Sequence, residues 1–202
     1  MTGMCSKFTY RFLCVASRIC FRICHPVIHI TGRERIPEGP AVLCANHSGM
    51  TDPIWIIAWA RLCRHPRIMA KKELFRIPIL KWFFTKLGAF PVDREKPDIS
   101  AIKSSLQTLK DDNKLLIFPE GTRIKNGKSV HPHSGAALIA HRVNAPVVPI
   151  YLSAKRGFFR PVHLIYGEPY FLDFQGAKPD PATLDRCSVE MMQKIYAMGE
   201  SS

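Results

Sequence analysis

The chain has 202 residues, enough for one domain with a sizeable hydrophobic core. Hydrophobic residues make up 47% of it, which excludes a largely disordered chain. The seven cysteines include no C-x-x-C pair, so neither a zinc ribbon nor a disulfide framework is indicated, and a reduced, cytosol-facing protein is expected. The net charge of +13 indicates an anionic partner, which leaves nucleic acid, an anionic membrane and phosphorylated substrates open.

The first predicted element is an amphipathic helix from Ser6 to Cys24. Its basic residues fall within about 60° of one another on a helical wheel, and most of the remaining circumference is apolar. This pattern is typical of a helix that lies in a membrane interface, and the alternative is a helix packed on its own domain. The basic residues are Lys7, Arg11, Arg18 and Arg22, and the apolar ones are Phe8, Tyr10, Phe12, Leu13, Val15, Ile19, Phe21 and Ile23.

No apolar run in the sequence reaches the roughly 18 residues that a membrane span needs. We therefore expect residues 1–26 to form a membrane-associating helix and residues 27–202 to form the folded domain.

Short apolar runs alternate with helical patterns beyond the first helix, which predicts an α/β domain with a mostly parallel central sheet flanked by helices. The predicted strands are Val27–Ile30, Ala41–Ala45, Arg67–Ala70, Ala89–Val92, Leu115–Phe118, Val147–Leu152 and Val162–Tyr166. The predicted helices are Pro53–Arg64, Glu73–Lys86 with a possible break at Pro78, Pro97–Lys110, Gly135–Val143 and Pro181–Met198. Ligands in such folds bind beyond the carboxyl ends of the strands, and polar motifs follow three of the predicted strands.

The first of these motifs contains His47 and Asp52, whose spacing no regular helix or strand places on one face. A loop between a strand that ends at Asn46 and a helix that begins at Pro53 can bring the two side chains together. The carboxylate would then fix the imidazole tautomer and make the other ring nitrogen a better general base. The alternatives are that Asp52 simply caps the helix before Pro53 and that His47 is an ordinary core histidine.

The other two motifs each deliver an arginine from the end of a strand. The sequence FPEGTR at Phe118–Arg123 combines a Pro-Gly turn with polar side chains, and its arginine is suited to bind a phosphate through two hydrogen bonds. The sequence GAFPVDRE at Gly88–Glu95 places Arg94 after another predicted strand. Ordinary loop chemistry is the alternative interpretation of each motif taken alone.

Together and in this order, the motifs resemble the glycerophospholipid acyltransferases of the lysophosphatidic acid acyltransferase type. The resemblance covers roughly residues 27–170, and it departs from the family pattern at His131–Ser134, where the family has a Phe-Lys pair before the next glycine. The matching segments are N-H-x(4)-D at Asn46–Asp52, AKKEL at Ala70–Leu74, G-x-F-x-x-x-R at Gly88–Arg94, F-P-E-G-T-R at Phe118–Arg123 and V-P-I at Val148–Ile150.

The resemblance implies transfer of a fatty acyl group from an acyl thioester to the free sn-2 hydroxyl of lysophosphatidic acid, which gives phosphatidic acid. In this reaction His47 would deprotonate the acceptor hydroxyl, and Asp52 would orient and polarise the imidazole. Glycerol-3-phosphate and other lysophospholipids stay open as alternative acceptors. A non-catalytic membrane-surface binding protein is the alternative from a different class.

The resemblance also implies roles for residues around this pair. Arg94 and Arg123 would hold the acceptor phosphate, with Lys71 and Lys72 as weaker candidates. The acceptor-site loop would consist of Glu120, Gly121 and Thr122, with the alternative that Glu120 only orders Arg123. Backbone N–H groups of Ser48 and Gly49, or those around Gly121, would stabilise the thioester oxyanion.

The expected partners are membrane phospholipids with lysophosphatidic acid, and either a coenzyme A thioester or an acyl carrier protein thioester as co-substrate, without a cofactor. We expect no nucleic-acid partner, because no exposed aromatic and basic module is recognisable. We expect no metal, because His131 and His133 form an H-x-H pair without further ligands. The implied location is peripheral and monotopic, on the cytoplasmic face of a membrane.

Overall fold

A computed structural model describes residues 7–60, 62, 66–93, 98–124, 130–158, 160–174 and 179–200 of the chain. Within these ranges, seven strands form a single sheet: β1 (Ile28–Thr31), β2 (Ala41–Ala45), β3 (Arg67–Lys71), β4 (Ala89–Val92), β5 (Lys114–Ile117), β6 (Val147–Leu152) and β7 (Val162–Tyr166). Their order across the sheet is β1-β7-β6-β2-β5-β3-β4; β6 and β7 are antiparallel, and the other neighbouring pairs of these described strands are parallel. The prediction of a mostly parallel α/β sheet is confirmed.

Six α-helices accompany the sheet in the described part of the chain: α1 (Lys7–Cys24), α2 (Asp52–Ala60), α3 (Pro78–Lys86), α4 (Ile99–Lys110), α5 (Gly135–Arg142) and α6 (Pro181–Glu200). The helix predicted over Glu73–Lys86 divides into a 3-10 helix at Lys72–Arg76 and α3. Pro78 is the first residue of α3, and Ile77 before it is extended, as expected for a residue that precedes proline. Residues 61, 63 and 64 of the helix predicted over Pro53–Arg64 lie outside the described residues.

The helices cover the two faces of the sheet, with α1, α2 and α3 on one face and α4, α5 and α6 on the other. This division follows from right-handed crossovers, because the chain moves across the sheet from β2 through β3 to β4 and then returns to β5. Strand β2 lies in the middle and is buried on both faces. Its alternate residues Ala41, Leu43 and Ala45 face the first layer of helices, and Val42 and Cys44 face the second.

Five neighbouring strands run in the same direction: β6, β2, β5, β3 and β4. Their carboxyl ends lie along one side of the sheet, which we term the carboxyl edge. Residues 46–51, 118–124 and 153–158 follow β2, β5 and β6 and therefore leave the sheet at this edge. The 3-10 helix after β3 and the first turn of α3 lie at the same edge. The fold thus brings the loop that contains His47 together with the loop that contains Glu120 and with the loop after β6.

Helix α1 packs on α2 with one side and exposes an apolar row on the other. Phe21 stacks on Trp55 with 4.0 Å between ring centroids, and the guanidinium groups of Arg18 and Arg22 lie over the ring of Trp59. Two arginines of the predicted basic stripe therefore contact α2. The exposed row consists of Phe8, Phe12, Val15, Ile19 and Ile23. None of the helices in the described ranges is both long and apolar enough to cross a bilayer.

Candidate active site

The loop between β2 and α2 is built around the side chain of Asp52, which is fully buried. Its Oδ2 atom accepts hydrogen bonds of 2.7 Å from the backbone N–H groups of Ser48 and Gly49 and lies 2.9 Å from Nδ1 of His47. Its Oδ1 atom accepts a hydrogen bond from the guanidinium of Arg156, in the loop after β6. The loop between His47 and Asp52 thus folds around one carboxylate.

Asp52 lies inside the first turn of α2 rather than at its N-cap. The backbone N–H of Trp55 donates to the carbonyl of Thr51 at 2.9 Å, so the helix begins one residue earlier than predicted. The carboxylate of Asp52 accepts hydrogen bonds from the preceding loop and from Arg156. The interpretation of Asp52 as a simple helix cap is therefore wrong, although a negative charge in the first turn still suits the helix dipole.

His47 is held through both its ring and its backbone. Nδ1 faces Asp52, and the ring stacks on Phe118 with 4.3 Å between centroids. Its N–H donates to Oε2 of Glu120 at 2.7 Å, and its carbonyl accepts a 2.7 Å hydrogen bond from the N–H of Ile124. Because an ionised Asp52 accepts the Nδ1 proton, Nε2 is the ring nitrogen that is left to accept a proton from a substrate.

Asn46 ties the end of β2 to the end of β6. Its Nδ2 donates to the carbonyl of Leu152 at 2.9 Å, and its Oδ1 accepts from the N–H of the same residue at 2.8 Å. The last backbone pair of these strands is Ala45 with Ile150, so the side-chain amide continues the ladder beyond it. This contact fixes the His47 loop relative to the loop that carries Arg156.

The environment of the two carboxyl groups shifts their pKa values in opposite directions. Burial raises the pKa of Asp52, but the hydrogen bonds from His47, Arg156 and Gly49 outweigh burial, so the pKa lies below its ordinary 3.8. Asp52 is therefore ionised at neutral pH and acts as an acceptor. Burial raises the pKa of Glu120 above its ordinary value, although its hydrogen bonds oppose the shift.

Glu120 connects the loop after β5 to helix α6. Besides accepting from His47, it accepts a hydrogen bond from the hydroxyl of Tyr196 through Oε1. These contacts run to His47 and Tyr196, so they do not support the alternative in which Glu120 only orders Arg123. Thr122 and Arg123 are exposed at the surface of this loop.

Gly121 occupies a position that only glycine fits. Its φ is +64°, in the left-handed region, and a Cβ atom there would lie 2.4 Å from Cδ2 of His133. His133 is held in turn by a 2.8 Å hydrogen bond from its N–H to the carbonyl of Pro119. The turn after Glu120 is therefore fixed both by its backbone conformation and by close contact with an imidazole ring.

Replacing Gly121 by alanine is expected to destabilise the protein by about 2–4 kcal/mol, since it combines left-handed strain with a steric clash. Chemical denaturation of wild type and variant measures the change in the free energy of unfolding. The matched control is Gly135→Ala, because nothing lies within 4 Å of a Cβ atom at this helical position. Equal stability of the Gly121→Ala variant and the control would contradict the described geometry.

The predicted oxyanion donors have other hydrogen-bond partners. The N–H groups of Ser48 and Gly49 both donate to Asp52, and the N–H of Gly121 donates to the carbonyl of Phe118 at 3.0 Å. A donor that already supports the loop cannot also bind a developing oxyanion at full strength. All three N–H groups have partners within the protein, and their role as oxyanion donors stays a prediction.

The other predicted phosphate ligands differ in their placement. Lys72 forms an ion pair with Asp93, so its charge is already partnered. Lys71 is exposed, and its Nζ lies 3.8 Å from a carboxylate oxygen of Glu73. Arg94 lies outside the described residues. Arg123 is described and exposed, and it precedes Ile124, whose N–H donates to the carbonyl of His47.

The H-x-H pair at His131 and His133 does not assemble into a metal site with further ligands. Nε2 of His131 lies 2.6 Å from a carboxylate oxygen of Asp185, and His133 packs on Gly121. Within the described ranges, no group of three or more His, Cys, Asp or Glu residues is close enough to hold a metal ion.

A cavity of about 960 Å³ opens beside His47, between the loops of the carboxyl edge and helix α6. Its walls combine polar groups near His47 with apolar side chains of α6. Its lining includes Asn46, His47, Ser48, Glu120, Ile124, Lys155, Val189, Met192, Tyr196 and Ala197. A cavity of this size lies within the range of small-molecule binding sites in proteins.

Sequence reasoning missed Arg156 and Tyr196. The sequence does carry a signal for Arg156, because Lys155 and Arg156 form a basic pair in the loop that follows strand β6 at the carboxyl edge. The sequence carries no such signal for Tyr196, because only the packing of α6 against the sheet brings its hydroxyl to Glu120.

The arrangement at the carboxyl edge is suited to general-base catalysis. A buried, ionised carboxylate orients an imidazole whose second nitrogen is available at a cavity wall, and two hydrogen bonds with the loop after β5 fix the backbone of the histidine. Such a base can remove a proton from a hydroxyl group held in the cavity.

A model of the acyltransferase family matches residues 27–153, which include the loop between His47 and Asp52 and the loop that carries Glu120. The chain therefore belongs to the acyltransferase family. The region of the match confirms the sequence-based resemblance.

Three curated relatives are named 1-acyl-sn-glycerol-3-phosphate acyltransferase. The Streptococcus pneumoniae protein is 38% identical over 60% of this chain and 46% of its own length. The Bacillus subtilis protein is 36% identical over 70% of this chain and 73% of its own length. The Helicobacter pylori protein is 34% identical over 87% of this chain and 78% of its own length. The chain thus spans less than half of the first relative and about three quarters of the other two.

A crystal structure of the 1-acyl-sn-glycerophosphate (LPA) acyltransferase from Thermotoga maritima has the same fold. Its TM-score is 0.70 at 22% identity, over 96% of this chain and 80% of the solved chain.

Proposed function

We propose that the chain transfers a fatty acyl group from an acyl thioester to the free sn-2 hydroxyl of lysophosphatidic acid, which gives phosphatidic acid. The observation that carries the proposal is the contact between His47 and Asp52, 2.9 Å apart at the wall of the cavity, in a chain of the acyltransferase family. The name shared by the Bacillus subtilis and Helicobacter pylori relatives supports lysophosphatidic acid as the acceptor.

The proposed mechanism uses His47 as the general base. Nε2 takes the proton of the acceptor hydroxyl while the hydroxyl oxygen attacks the thioester carbonyl and a tetrahedral intermediate forms. The intermediate collapses with cleavage of the carbon–sulfur bond, and the imidazolium returns the proton to the departing sulfur. Asp52 holds the Nδ1–H tautomer throughout, and Arg156 keeps the carboxylate of Asp52 in place.

Exposed cations near the cavity suit the phosphate of the acceptor. Arg123 lies in the loop after β5, next to a residue that lines the cavity, and Lys155 lines the cavity from the loop after β6. A guanidinium binds a phosphate through two parallel hydrogen bonds, whereas an ammonium acts mainly as a point charge. We assign the main phosphate contact to Arg123, with Arg94 as a further ligand proposed from the sequence.

The acyl donor and the location of the reaction belong to the same proposal. A coenzyme A thioester or an acyl carrier protein thioester would supply the acyl group, without a cofactor. Helix α1 would place its exposed apolar row in the interface of a membrane on the cytoplasmic side, where the lipid acceptor resides.

A competition assay tests the acceptor. Purified protein in anionic vesicles receives both donor types and an equimolar mixture of lysophosphatidic acid, glycerol-3-phosphate and lysophosphatidylglycerol, and products are resolved by mass. Phosphatidic acid as the main product supports the proposal. A different main product keeps the reaction class and replaces the acceptor, and no product with either donor favours a non-catalytic membrane-binding protein.

The Arg123→Ala variant in the same assay tests the phosphate contact. Loss of a charge-assisted hydrogen bond is expected to raise KM for lysophosphatidic acid about ten-fold or more, with a smaller effect on neutral acceptors. The matched control is Arg142→Ala, an exposed arginine at the end of α5 that leads to the opposite edge of the sheet.

Tyr196 is a positioning residue in this account, because it acts on His47 through Glu120. Replacing Tyr196 by phenylalanine removes one of the two described hydrogen bonds of Glu120. We expect kcat to fall about three- to ten-fold with KM nearly unchanged, since the base loses alignment while the binding groups stay. Steady-state kinetics of wild type and variant measure both constants.

The control for this change is Tyr170→Phe. The hydroxyl of Tyr170 is buried and has no hydrogen-bond partner among the described residues, so its removal leaves the hydrogen bonds of the site intact. Equal kcat values for Tyr196→Phe and Tyr170→Phe would show that the link from α6 to Glu120 does not position the base.

A further inference from the structure

Exposed apolar side chains are concentrated around the candidate active site, apart from those on α1. Met50 lies in the loop between His47 and Asp52 and is 56% exposed. We define the apolar rim as Met50 together with Ile77 and Ile79 at the start of α3 and Phe158 in the loop after β6, all of them more than half exposed.

The topology places all four residues of the apolar rim at the carboxyl edge. Met50 follows β2, and Phe158 follows β6, which is parallel to β2. Ile77 and Ile79 follow β3 after the short 3-10 helix, and β3 is parallel to β5, which is itself parallel to β2. The rim therefore comes from three separate segments that share the edge with His47.

Cations accompany the apolar rim. The exposed ones at the carboxyl edge are Lys71, Arg76 and Lys155, in two of the same segments, and Arg123, in the loop after β5. Apolar side chains next to Lys and Arg are typical of surfaces that enter the headgroup region of an anionic bilayer, where each cation contributes about 1 kcal/mol. The net charge of +13 has the same sign as this local charge.

The end of α1 reaches the same edge, so the rim continues the apolar row of that helix. Phe21 stacks on Trp55 of α2, and Nδ1 of His25 lies 3.3 Å from the carbonyl oxygen of Gly157, beside Phe158. Helix α3 also lies on the same face of the sheet as α1. One apolar surface can therefore run from α1 past the entrance of the site to α3.

We propose that the apolar rim enters an anionic lipid bilayer together with α1, and that this second contact holds the opening beside His47 against the lipid surface. The inference rests on the proposed function in one respect, because a lipid acceptor explains why the site entrance meets the bilayer. A small acidic carrier protein would also meet the cations, but it would leave the apolar row that continues onto α1 uncovered. The bilayer is therefore the occupant that the whole surface favours.

Vesicle binding tests the rim directly. The triple variant Ile77→Ser, Ile79→Ser, Phe158→Ser keeps α1 and the loop between His47 and Asp52 intact and removes three exposed apolar side chains. We expect its affinity for phosphatidylcholine vesicles with about one quarter phosphatidylglycerol to fall about ten-fold or more, measured by flotation. Binding equal to wild type would overturn the proposal.

A matched control lies at the opposite edge of the sheet. Phe171 is 59% exposed and follows Tyr170, which pairs with Val147 at the first residue of β6. The Phe171→Ser variant removes a comparable exposed side chain away from the rim, so we expect wild-type binding. An equal loss in the control and the triple variant would show a general effect of surface apolarity and overturn the assignment to the rim.

The fluorescence of Trp82 gives a second test of the rim, which does not depend on a variant that loses vesicle binding. It is 63% exposed on α3, whereas Trp55 and Trp59, the other two tryptophans, are buried. Vesicles with brominated acyl chains are expected to quench a fluorescence component that the Trp82→Phe variant lacks. Quenching that is unchanged in Trp82→Phe would overturn the contact of α3 with the bilayer.

Activity on dispersed substrate separates this proposal from the proposed function. With a short-chain lysophosphatidate below its aggregation limit, the triple variant is expected to retain wild-type kcat/KM, because its three residues lie outside the loop between His47 and Asp52 and do not line the cavity. If wild type shows no acyl transfer, the proposed function fails and the vesicle data still judge the rim. If vesicle binding is intact and only the reaction with acyl carrier protein thioester falls, the rim docks an acidic protein and the proposal is wrong.

Discussion

Replacing His47 by alanine is expected to lower kcat for phosphatidic acid formation by about 10²–10⁴-fold, the range that a positioned general base contributes. KM for the acceptor should change little, because the proposed phosphate contacts are in other loops. The variant keeps the backbone hydrogen bonds from His47 to Glu120 and from Ile124, so the loops around it are retained. Initial rates with saturating thioester measure the effect.

The control for this prediction is His29→Ala. His29 lies on β1, where its ring stacks on His163 with 5.0 Å between centroids, well away from the loop after β2. Its removal should leave kcat unchanged. A His47→Ala variant that folds, binds vesicles and retains a rate close to wild type would show that the base is another group.

The second large effect is expected for Asp52→Asn. The amide cannot accept the Nδ1 proton of His47 with the strength of a carboxylate and allows the other tautomer, so we expect kcat to fall about 10²–10³-fold. The change also leaves the largely buried Arg156 without its counter-charge, which is expected to cost about 3 kcal/mol of stability. Kinetics and chemical denaturation measure the two effects separately.

The stability effect of Asp52 has a defined pH dependence. The pKa of Asp52 in the folded protein is lowered, so its stabilising contribution is complete above the ordinary value of 3.8 and is lost as the pH falls through the lowered value. The stability difference between wild type and Asp52→Asn should therefore be constant at neutral pH and shrink below 3.8. A difference that shrinks between pH 7 and pH 5 would contradict an ionised, hydrogen-bonded Asp52.

The strands of this protein are predictable because each is a short buried run between turn residues. Strand β2 has all five residues buried, and the interior strand β6 starts after Pro146 and is buried along most of its length. Alternation of such strands with helices leads to a parallel sheet, and the parallel sheet predicts that the three polar motifs meet at one edge. The contact between His47 and Asp52 is predictable because both residues belong to the one short loop between a strand and a helix.

Contacts between distant segments account for what the sequence did not predict. Arg156 reaches Asp52 only because β6 lies next to β2, and Tyr196 reaches Glu120 only because α6 packs beside the same loops. The hydrogen bonds that occupy the N–H groups of Ser48 and Gly49 depend on the tight path of one loop, which residue types alone do not define. The helical wheel of α1 likewise shows two surfaces without showing which of them α2 covers.

The most direct test of the central claim is a time course of phosphatidic acid formation from lysophosphatidic acid, followed by mass in vesicles with wild type and His47→Ala side by side. The account predicts steady product formation by wild type with at least one of the two thioester classes, and a rate at least about 100-fold lower for the variant. Product formation at equal rates by both proteins, or none by wild type with either thioester, would contradict it.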